Sequence, residues 1–381
     1  MNRSPASAEP ALDPRALRER LRAAQAGFDE QFRQGAEVAA LLRSRASFMD
    51  SLLSELFHAQ PWPEGTNGRV PLALLAVGGF GRGELHPHSD VDLLLLLETE
   101  PDAAVRGTLE AFLRLLWDLG LEIGHAVRTI DACVEEAERD VTVLTNLMES
   151  RTVAGPERLR LRMNEALATD KLWPSPRFFR AKLEEQTARH RRYENTEYNL
   201  EPNVKSSPGG LRDIQMLGWV AKRHFGTSDF EHLVGLGYLT AEELIALTEG
   251  RQFLWKVRWG LHLLTGRGED RLLLDRQQEL ATLFGYEDAD GALAVEQFMH
   301  DYYLHVLTLR ELNDVVLQHF DEAILRAGEE ERIVPVNERF RIRNDYLEVV
   351  DPGVFRREPS ALLELFVVMA NREDIEGVRA S

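Results

Sequence analysis

The residues best equipped for chemistry lie in one stretch, Gly78-Gly79-Phe80-Gly81-Arg82-Gly83-Glu84-Leu85-His86-Pro87-His88-Ser89-Asp90-Val91-Asp92. Asp90 and Asp92 stand two residues apart where an apolar run, Val91–Leu97, begins. Side chains alternate across a strand, so both carboxylates point to one face. Two adjacent carboxylates repel, and hard oxygen ligands beside a phosphate suit Mg²⁺. The glycine pair follows a second apolar run, residues 70–77, and forms a turn in which no Cβ blocks backbone N–H groups from phosphate oxygens. A helix starting near Phe80 would add an anion-favouring N-terminus, and Arg82 a fork of donors. Ser89 lies beside the aspartates.

Competing phosphate motifs fail. A P-loop needs Lys-Ser/Thr after the glycines, and a dinucleotide fingerprint needs glycine where Glu84 stands. A second cluster spans residues 199–214, with Asn203-Val204-Lys205-Ser206-Ser207-Pro208-Gly209-Gly210-Leu211-Arg212-Asp213 at its centre. Pro and Gly followed by an apolar period read as a loop feeding a helix N-terminus, where Lys205 and Arg212 add positive charge. Two readings stay open from the residues alone: a lid over a nucleotide, or a structural helix start with an Arg–Asp pair.

The elements that must carry these residues follow from periodicity. Helical spacing runs from Pro14 to about His58 and is broken by Pro61, Pro63, Gly65 and Gly68. Residues 70–77, 91–97 and 121–129 read as buried strands, with a helix over 103–119 between the last two. Beyond Asp131 helical signals dominate, over about 176–194, 211–225, 241–265 and 290–326. A hairpin near 333–350 and a helix near 359–370 follow. The expected organisation is a polar tail over 1–13, an N-terminal helical segment over 14–64, an α/β core over 65–150, a helical domain over 151–330 and a short mixed segment over 331–381.

The 381 residues, 44% hydrophobic and 28% charged, suffice for two or three globular domains. A formal net charge of −18 argues against a nucleic-acid backbone as partner. No apolar run approaches the ~20 residues that span a bilayer, and no signal peptide is visible. The single cysteine, Cys133, permits no internal disulfide and fits the cytoplasm.

A glycine pair, a ten-residue gap and Asp-x-Asp opening an apolar strand resemble the polymerase-β-type nucleotidyltransferase signature. The resemblance implies an α+β fold: a small mixed sheet with helices, followed by a helical bundle. It implies that Asp90 and Asp92 hold metal ions bridging a nucleoside triphosphate, and that a later strand supplies a third carboxylate. Glu122 is assigned that place, with Asp118 the alternative. Val77 through Leu85, Leu121-Glu122-Ile123-Gly124-His125, Glu201 through Asp213, and Trp219 through Phe225 resemble more closely the bacterial PII uridylyltransferase/uridylyl-removing enzymes. That resemblance implies Mg²⁺-dependent transfer of UMP from UTP to a tyrosine hydroxyl of the PII nitrogen-signalling protein. Gly78, Gly79, Arg82, Ser89, Lys205 and Arg212 would bind the nucleotide. In that family an HD hydrolase domain and two ACT domains follow, and they would lie beyond Ser381. Uridylyl removal is therefore not expected of this chain.

The remaining residues read more plainly. Met299-His300-Asp301-Tyr302 contains a His-Asp pair without the surrounding set a hydrolase metal needs. His86 and His88 read as loop residues, Cys133 as inert, Trp255 and Trp259 as core, and residues 329–331 as a solvated acidic run. His125 is a candidate to orient Glu122. Two further functions stay open: adenylyl transfer to glutamine synthetase, and nucleotide binding without turnover.

Overall fold

The computed structural model describes residues 13–63, 71–289, 291–327, 332–351, 353–372, 374–375 and 377–379. Residues 1–12 of the expected tail, two of the predicted glycine breaks (Gly65 and Gly68) and the acidic run at 329–331 lie outside the described residues. Two antiparallel helices open the chain, α1 (Pro14–Arg33) and α2 (Val38–His58). Asp13 caps α1 by accepting from Arg15 N, and Pro14 occupies the first turn, where its missing N–H costs nothing.

A four-stranded sheet follows, in the order β3-β2-β1-β4. Its strands are β1 (Leu72–Ala76), β2 (Val91–Leu97), β3 (Ile123–Thr129) and β4 (Arg151–Ala154). Strand β1 runs antiparallel to β2 and β4, and β2 runs parallel to β3. Helix α3 (Gly78–Gly81) lies between β1 and β2, and α4 (Ala103–Asp118) makes the parallel crossover. Helices α5 (Ile130–Arg139) and α6 (Val141–Met148) lead to β4. Strand β4 lies just past the boundary expected at residue 150, yet pairs with β1.

The alternation of side chains along β1 and β2 divides the sheet between two cores. Leu72, Leu74, Leu93 and Leu95 pack with Leu52, Leu56 and Phe112 on one side. Ala73, Leu75, Leu94 and Leu96 face a larger, mainly helical core on the other. Both faces are covered, which is why these strands read as continuous apolar runs. Helix α2 serves both cores: Leu41 and Leu42 join the helical one, Leu52 and Leu53 the other.

The helical part comprises α7 (Glu157–Ala166), α8 (Ser175–Arg191), α9 (Leu211–Phe225), α10 (Phe230–Gly235), α11 (Ala241–Thr265), α12 (Leu274–Leu283) and α13 (Ala294–Phe320). The long pair α11 and α13 buries Trp259, Phe298 and Tyr302. Phe32 at the end of α1 stacks on Trp259 with centroids 5.7 Å apart, tying the N-terminal helices to this core. A second small sheet, β5 (Ile333–Pro335), β6 (Phe340–Arg343), β7 (Tyr346–Val349) and β8 (Gly377–Val378), packs with α14 (Val354–Arg357) and α15 (Ala361–Ala370) around its own core. The expected hairpin is thus part of a four-stranded sheet.

Candidate active site

Strand β1 ends in the turn that the glycines make. Gly78 has φ +56°, a left-handed conformation that a side chain would strain. Val77 N–H donates to Asp92 O at 3.1 Å, which holds the turn beside β2. The helix expected near Phe80 starts at Gly78 and is a single turn of four residues, so its dipole is small. Its first internal bonds run from Gly81 N–H to Val77 O and from Arg82 N–H to Gly78 O, so the preceding amides have no partner within the turn.

A cavity of about 360 Å³ opens here. It brings together Gly78, Gly79, Arg82, Ser89, Asp90, Asp92, Glu122, Lys205 and Arg212, the nine residues singled out in the sequence. Asp92 sits on β2, while Asp90 and Glu122 stand one residue ahead of β2 and β3 rather than within them. Val91 N–H donates to Glu122 O at 2.8 Å and fixes the two strand starts together. Asp92 pairs with Gly124 in the parallel register. A Cβ on Gly124 would lie 2.4 Å from Asp92 Oδ1, so the carboxylate occupies the space a side chain would fill.

The charges in this cavity are unevenly matched. Arg82 is held by Glu84 (Nε to Oε2, 3.0 Å) and Glu149 (Nη1 to Oε2, 2.7 Å). Burial alone would lower its pKa, but the two carboxylates outweigh that and raise it. Glu149 also accepts from Trp219 Nε1. Arg258 is paired with Asp270, Nε to Oδ1 at 2.6 Å. By contrast, among the described residues Asp90, Asp92, Lys205 and Arg212 form no ion pair. Burial, and then the Asp90 charge, raise the Asp92 carboxyl. Burial and then Arg258 lower Lys205, and burial and then Arg82 lower Arg212. The pocket therefore holds two carboxylates whose charge lacks a cation, and two cations whose charge lacks an anion.

Mg²⁺ fits the carboxylate pair, because it is commonly held by one or two carboxylates with phosphate and water completing its shell. Ser89 Oγ is also buried here without a partner. Among the described residues no three His, Cys, Asp or Glu side chains are grouped closely enough to hold a metal between them. Glu122 and His88 both line the cavity; burial and then Arg45 lower the His88 pKa, and the Glu122 charge offsets part of that. The alternative acid, Asp118, is exposed at the end of α4 and lies outside the cavity. His125 packs edge-on against Trp117, 5.5 Å between centroids, and makes no hydrogen bond to Glu122.

The second cluster places two of its cations at the cavity and holds a structural Arg–Asp pair. Lys205 and Arg212 line the cavity. The buried acid beside them, Asp213, pairs with Arg189 rather than Arg212, with Arg189 Nη2 2.6 Å from Oδ1. It also accepts from Gln186 Nε2 (2.9 Å) and Gly209 N–H (2.7 Å) and bonds His190 Nε2 (3.0 Å). Burial would raise the Asp213 carboxyl, but His190 and Arg189 bring it below the ordinary value. Asn203 Oδ1 accepts from the N–H groups of Lys205 and Ser206 and shapes the rest of the loop.

Sequence reasoning did not single out Arg258, His262 or Asp270. Arg258 Nη1 donates to His86 Nδ1 at 3.1 Å, and His88 N–H donates to His262 Nδ1 at 3.2 Å. His262 therefore carries its proton on Nε2, 3.5 Å from Asp270 Oδ1. Burial, then Arg258, hold His86 well below its ordinary pKa; burial would raise Asp270, but His262 and Arg258 lower it. Arg45 on α2 donates to Pro87 O at 2.6 Å, so this loop is clamped from both sides. A signal existed: Trp255, Arg258, Trp259 and His262 share one face of α11, and polar groups on a core face are conspicuous. His300 is exposed and Asp301 accepts from Tyr286 Oη at 2.7 Å, which leaves no metal set there. Cys133 is buried, and its thiol is pushed up to about 12 by burial.

A model of the GlnD PII-uridylyltransferase family matches residues 177–317, and one of the uridylyltransferase GlnD third domain matches residues 340–381. The DUF294 nucleotidyltransferase model matches residues 22–126. A bifunctional uridylyltransferase/uridylyl-removing enzyme of Stutzerimonas stutzeri is 53% identical over 365 residues. Those of Ectopseudomonas mendocina and Azotobacter vinelandii are 52% identical over the same length. Each alignment covers 96% of this chain and 40% of the relative, so the chain spans about two fifths of the length of the curated relatives it matches. Among the described residues no helix is long and apolar enough to cross a membrane.

Proposed function

Over the length it spans this chain belongs to the PII-uridylyltransferase family, and we propose on that premise that it transfers UMP from UTP to a tyrosine hydroxyl of a PII protein. The observation that carries this reading is the mismatch of charges in one cavity: Asp90 and Asp92 without a cation, Lys205 and Arg212 without an anion. A magnesium–nucleotide complex satisfies both.

Asp90 and Asp92 would hold Mg²⁺, which would supply charge neutralisation to the triphosphate oxygens. Lys205 and Arg212 bind phosphate oxygens, and their burial makes those bonds strong. Gly78 and Gly79 let the chain come close to the phosphates, and Arg82 and Ser89 complete that wall. The tyrosine oxygen bonds to the α-phosphorus while the bond to the β-phosphate oxygen breaks and pyrophosphate leaves. Glu122, the third carboxylate, receives the hydroxyl proton. The work of the protein is positioning and charge stabilisation, with no covalent intermediate on the chain. The partner is a protein and not a nucleic acid, consistent with the charge of −18, and the reaction belongs in the cytoplasm.

The test is the intact mass of a PII protein after incubation with this chain, Mg²⁺ and either UTP or ATP. A gain of one UMP with UTP alone is expected. A gain of AMP with ATP alone would replace the uridylyl assignment, and no gain with either nucleotide would refute the transferase reading.

A further inference from the structure

Trp219 stands about two turns beyond Arg212 on α9 and is buried. Its indole makes two kinds of contact, and each leads to a guanidinium in the cavity wall. Its Nε1–H donates to Glu149 Oε1, and Glu149 Oε2 accepts from Arg82 Nη1 at 2.7 Å. Its ring meets Arg212, whose Cζ is 5.3 Å from the centroid. Arg212 forms no ion pair among the described residues, so this cation–π contact is what locates its guanidinium. The indole is itself fixed. Lys182, buried and paired with Glu185, has its Nζ 4.3 Å from the same centroid. Lys222, one turn further along α9, donates to Met148 O, so α9 grips the 148–149 segment at two points. A Cβ on Gly81 would lie 2.3 Å from Glu149 O, so the glycine turn packs directly against the Glu149 backbone.

We propose that Trp219 is a positioning residue: by its N–H edge through Glu149, and by its ring directly, it holds Arg82 and Arg212 at the spacing that grips a phosphate group. The inference rests on the reading of this cavity as a nucleotide phosphate site and adds the residue that pre-arranges it. Arg82 comes from the turn after β1 and Arg212 from the start of α9, so the two guanidiniums arrive on separate parts of the fold. They also repel each other. After burial, the Arg82 charge is the largest cause that lowers the Arg212 pKa. Like charges in one cavity need neighbours that hold them in place. Arginine has many rotamers, and a guanidinium already in position loses less entropy when an anion binds. Trp219 is not among the residues that line the cavity, so its effect reaches the phosphates only through the two arginines.

The experiment measures equilibrium binding of inorganic tripolyphosphate with Mg²⁺ to the full chain, in two double-mutant cycles. Trp219→Phe keeps a ring beside Arg212 but has no N–H for Glu149. It weakens binding by about threefold, the scale of one hydrogen bond. It has no further effect in a Glu149→Gln background, where that link is already broken. Trp219→Leu removes the ring as well and weakens binding by about tenfold. In an Arg212→Ala background its loss shrinks to that of Trp219→Phe. A residue that only filled the core would give the same losses in every background, so additive cycles overturn the proposal. The phenylalanine cycle decides the matter alone if the leucine variant fails to fold. Unchanged tripolyphosphate affinity in both Trp219 variants also overturns the proposal and leaves the phosphate reading intact. A wild type that does not bind tripolyphosphate with Mg²⁺ overturns the phosphate reading and this inference with it.

Discussion

Replacing Gly124 by alanine tests the geometry around Asp92 most directly. The added Cβ would sit 2.4 Å from Asp92 Oδ1 and 3.5 Å from its Cγ. Ordinary contact requires the carboxylate to retreat by about 1 Å. Strand β2 is paired with β3 along its whole length and with β1 from Leu93 onward, and Asp92 O accepts from Val77 N–H, so its backbone resists the movement and the short Asp92 side chain must turn instead. A displacement of about 1 Å in a positioned group costs on the order of 10²-fold in rate. Stability should scarcely fall, because alanine is favoured over glycine within a strand by up to about 1 kcal/mol. The assay pairs the initial rate of UMP transfer with a thermal unfolding curve. Gly107→Ala serves as the control, since it lies on an exposed turn of α4 with open space around it. That variant should transfer at the normal rate and melt slightly higher. A normal rate for Gly124→Ala would refute the argument that Asp92 must keep its seat against β3.

Two further outcomes follow from the charges. Asp92→Asn should abolish transfer without lowering the melting temperature in the absence of Mg²⁺. The folded Asp92 carboxyl is raised above 3.8, so its stabilising contribution is complete below that pH and is lost as the pH rises through the higher folded value, and its ionised form costs the fold at neutral pH. Mg²⁺ should raise the melting temperature of the wild type but not of this variant, and equal shifts in both would remove Asp92 from the metal site. The loop histidines give an acid-sensitive clamp. His86 and His262 are lowered from 6.5 in the folded state, so their contribution is complete above 6.5 and drains away as the pH falls toward the depressed folded values. A melting temperature that stays level from about pH 7.5 to about 5.5 would count against this clamp.

The parts of the site legible in the sequence are those where chemistry and local pattern coincide. Gly78, Gly79, Asp90 and Asp92 stand within one turn and one strand start, and the apolar runs behind them are unbroken. The helices of residues 14–58 and 211–265 announced themselves by period. Strand β4 did not, because it has four residues and is only half-buried for three of them. Its pairing with β1 is set by tertiary packing, not propensity. The clamp of Arg258, His262 and Asp270 was also hidden. Each is ordinary on its own helix or loop, and the meaning arises only when α11 meets the His86–His88 loop. The sequence ran Glu122 into a strand because Leu121 and Ile123 flank it, whereas the ladder begins at Ile123. The Arg–Asp pair expected at the helix start forms between Asp213 and Arg189, which α8 delivers from another part of the chain together with His190.

The clamp also sets a timetable. Arg258 follows His86 by 172 residues along the chain, and Asp270 comes later still. A ribosome adding ~5–20 residues per second therefore exposes the two aspartates on the order of ten to forty seconds before it delivers the side chains that brace their loop. During that interval the β1–β2 hairpin can pair, but Arg258 and Asp270 are absent, and Lys205 and Arg212 emerge only late in it. On the proposed reading, the cavity is braced for a nucleotide only once α11 docks against the His86–His88 loop.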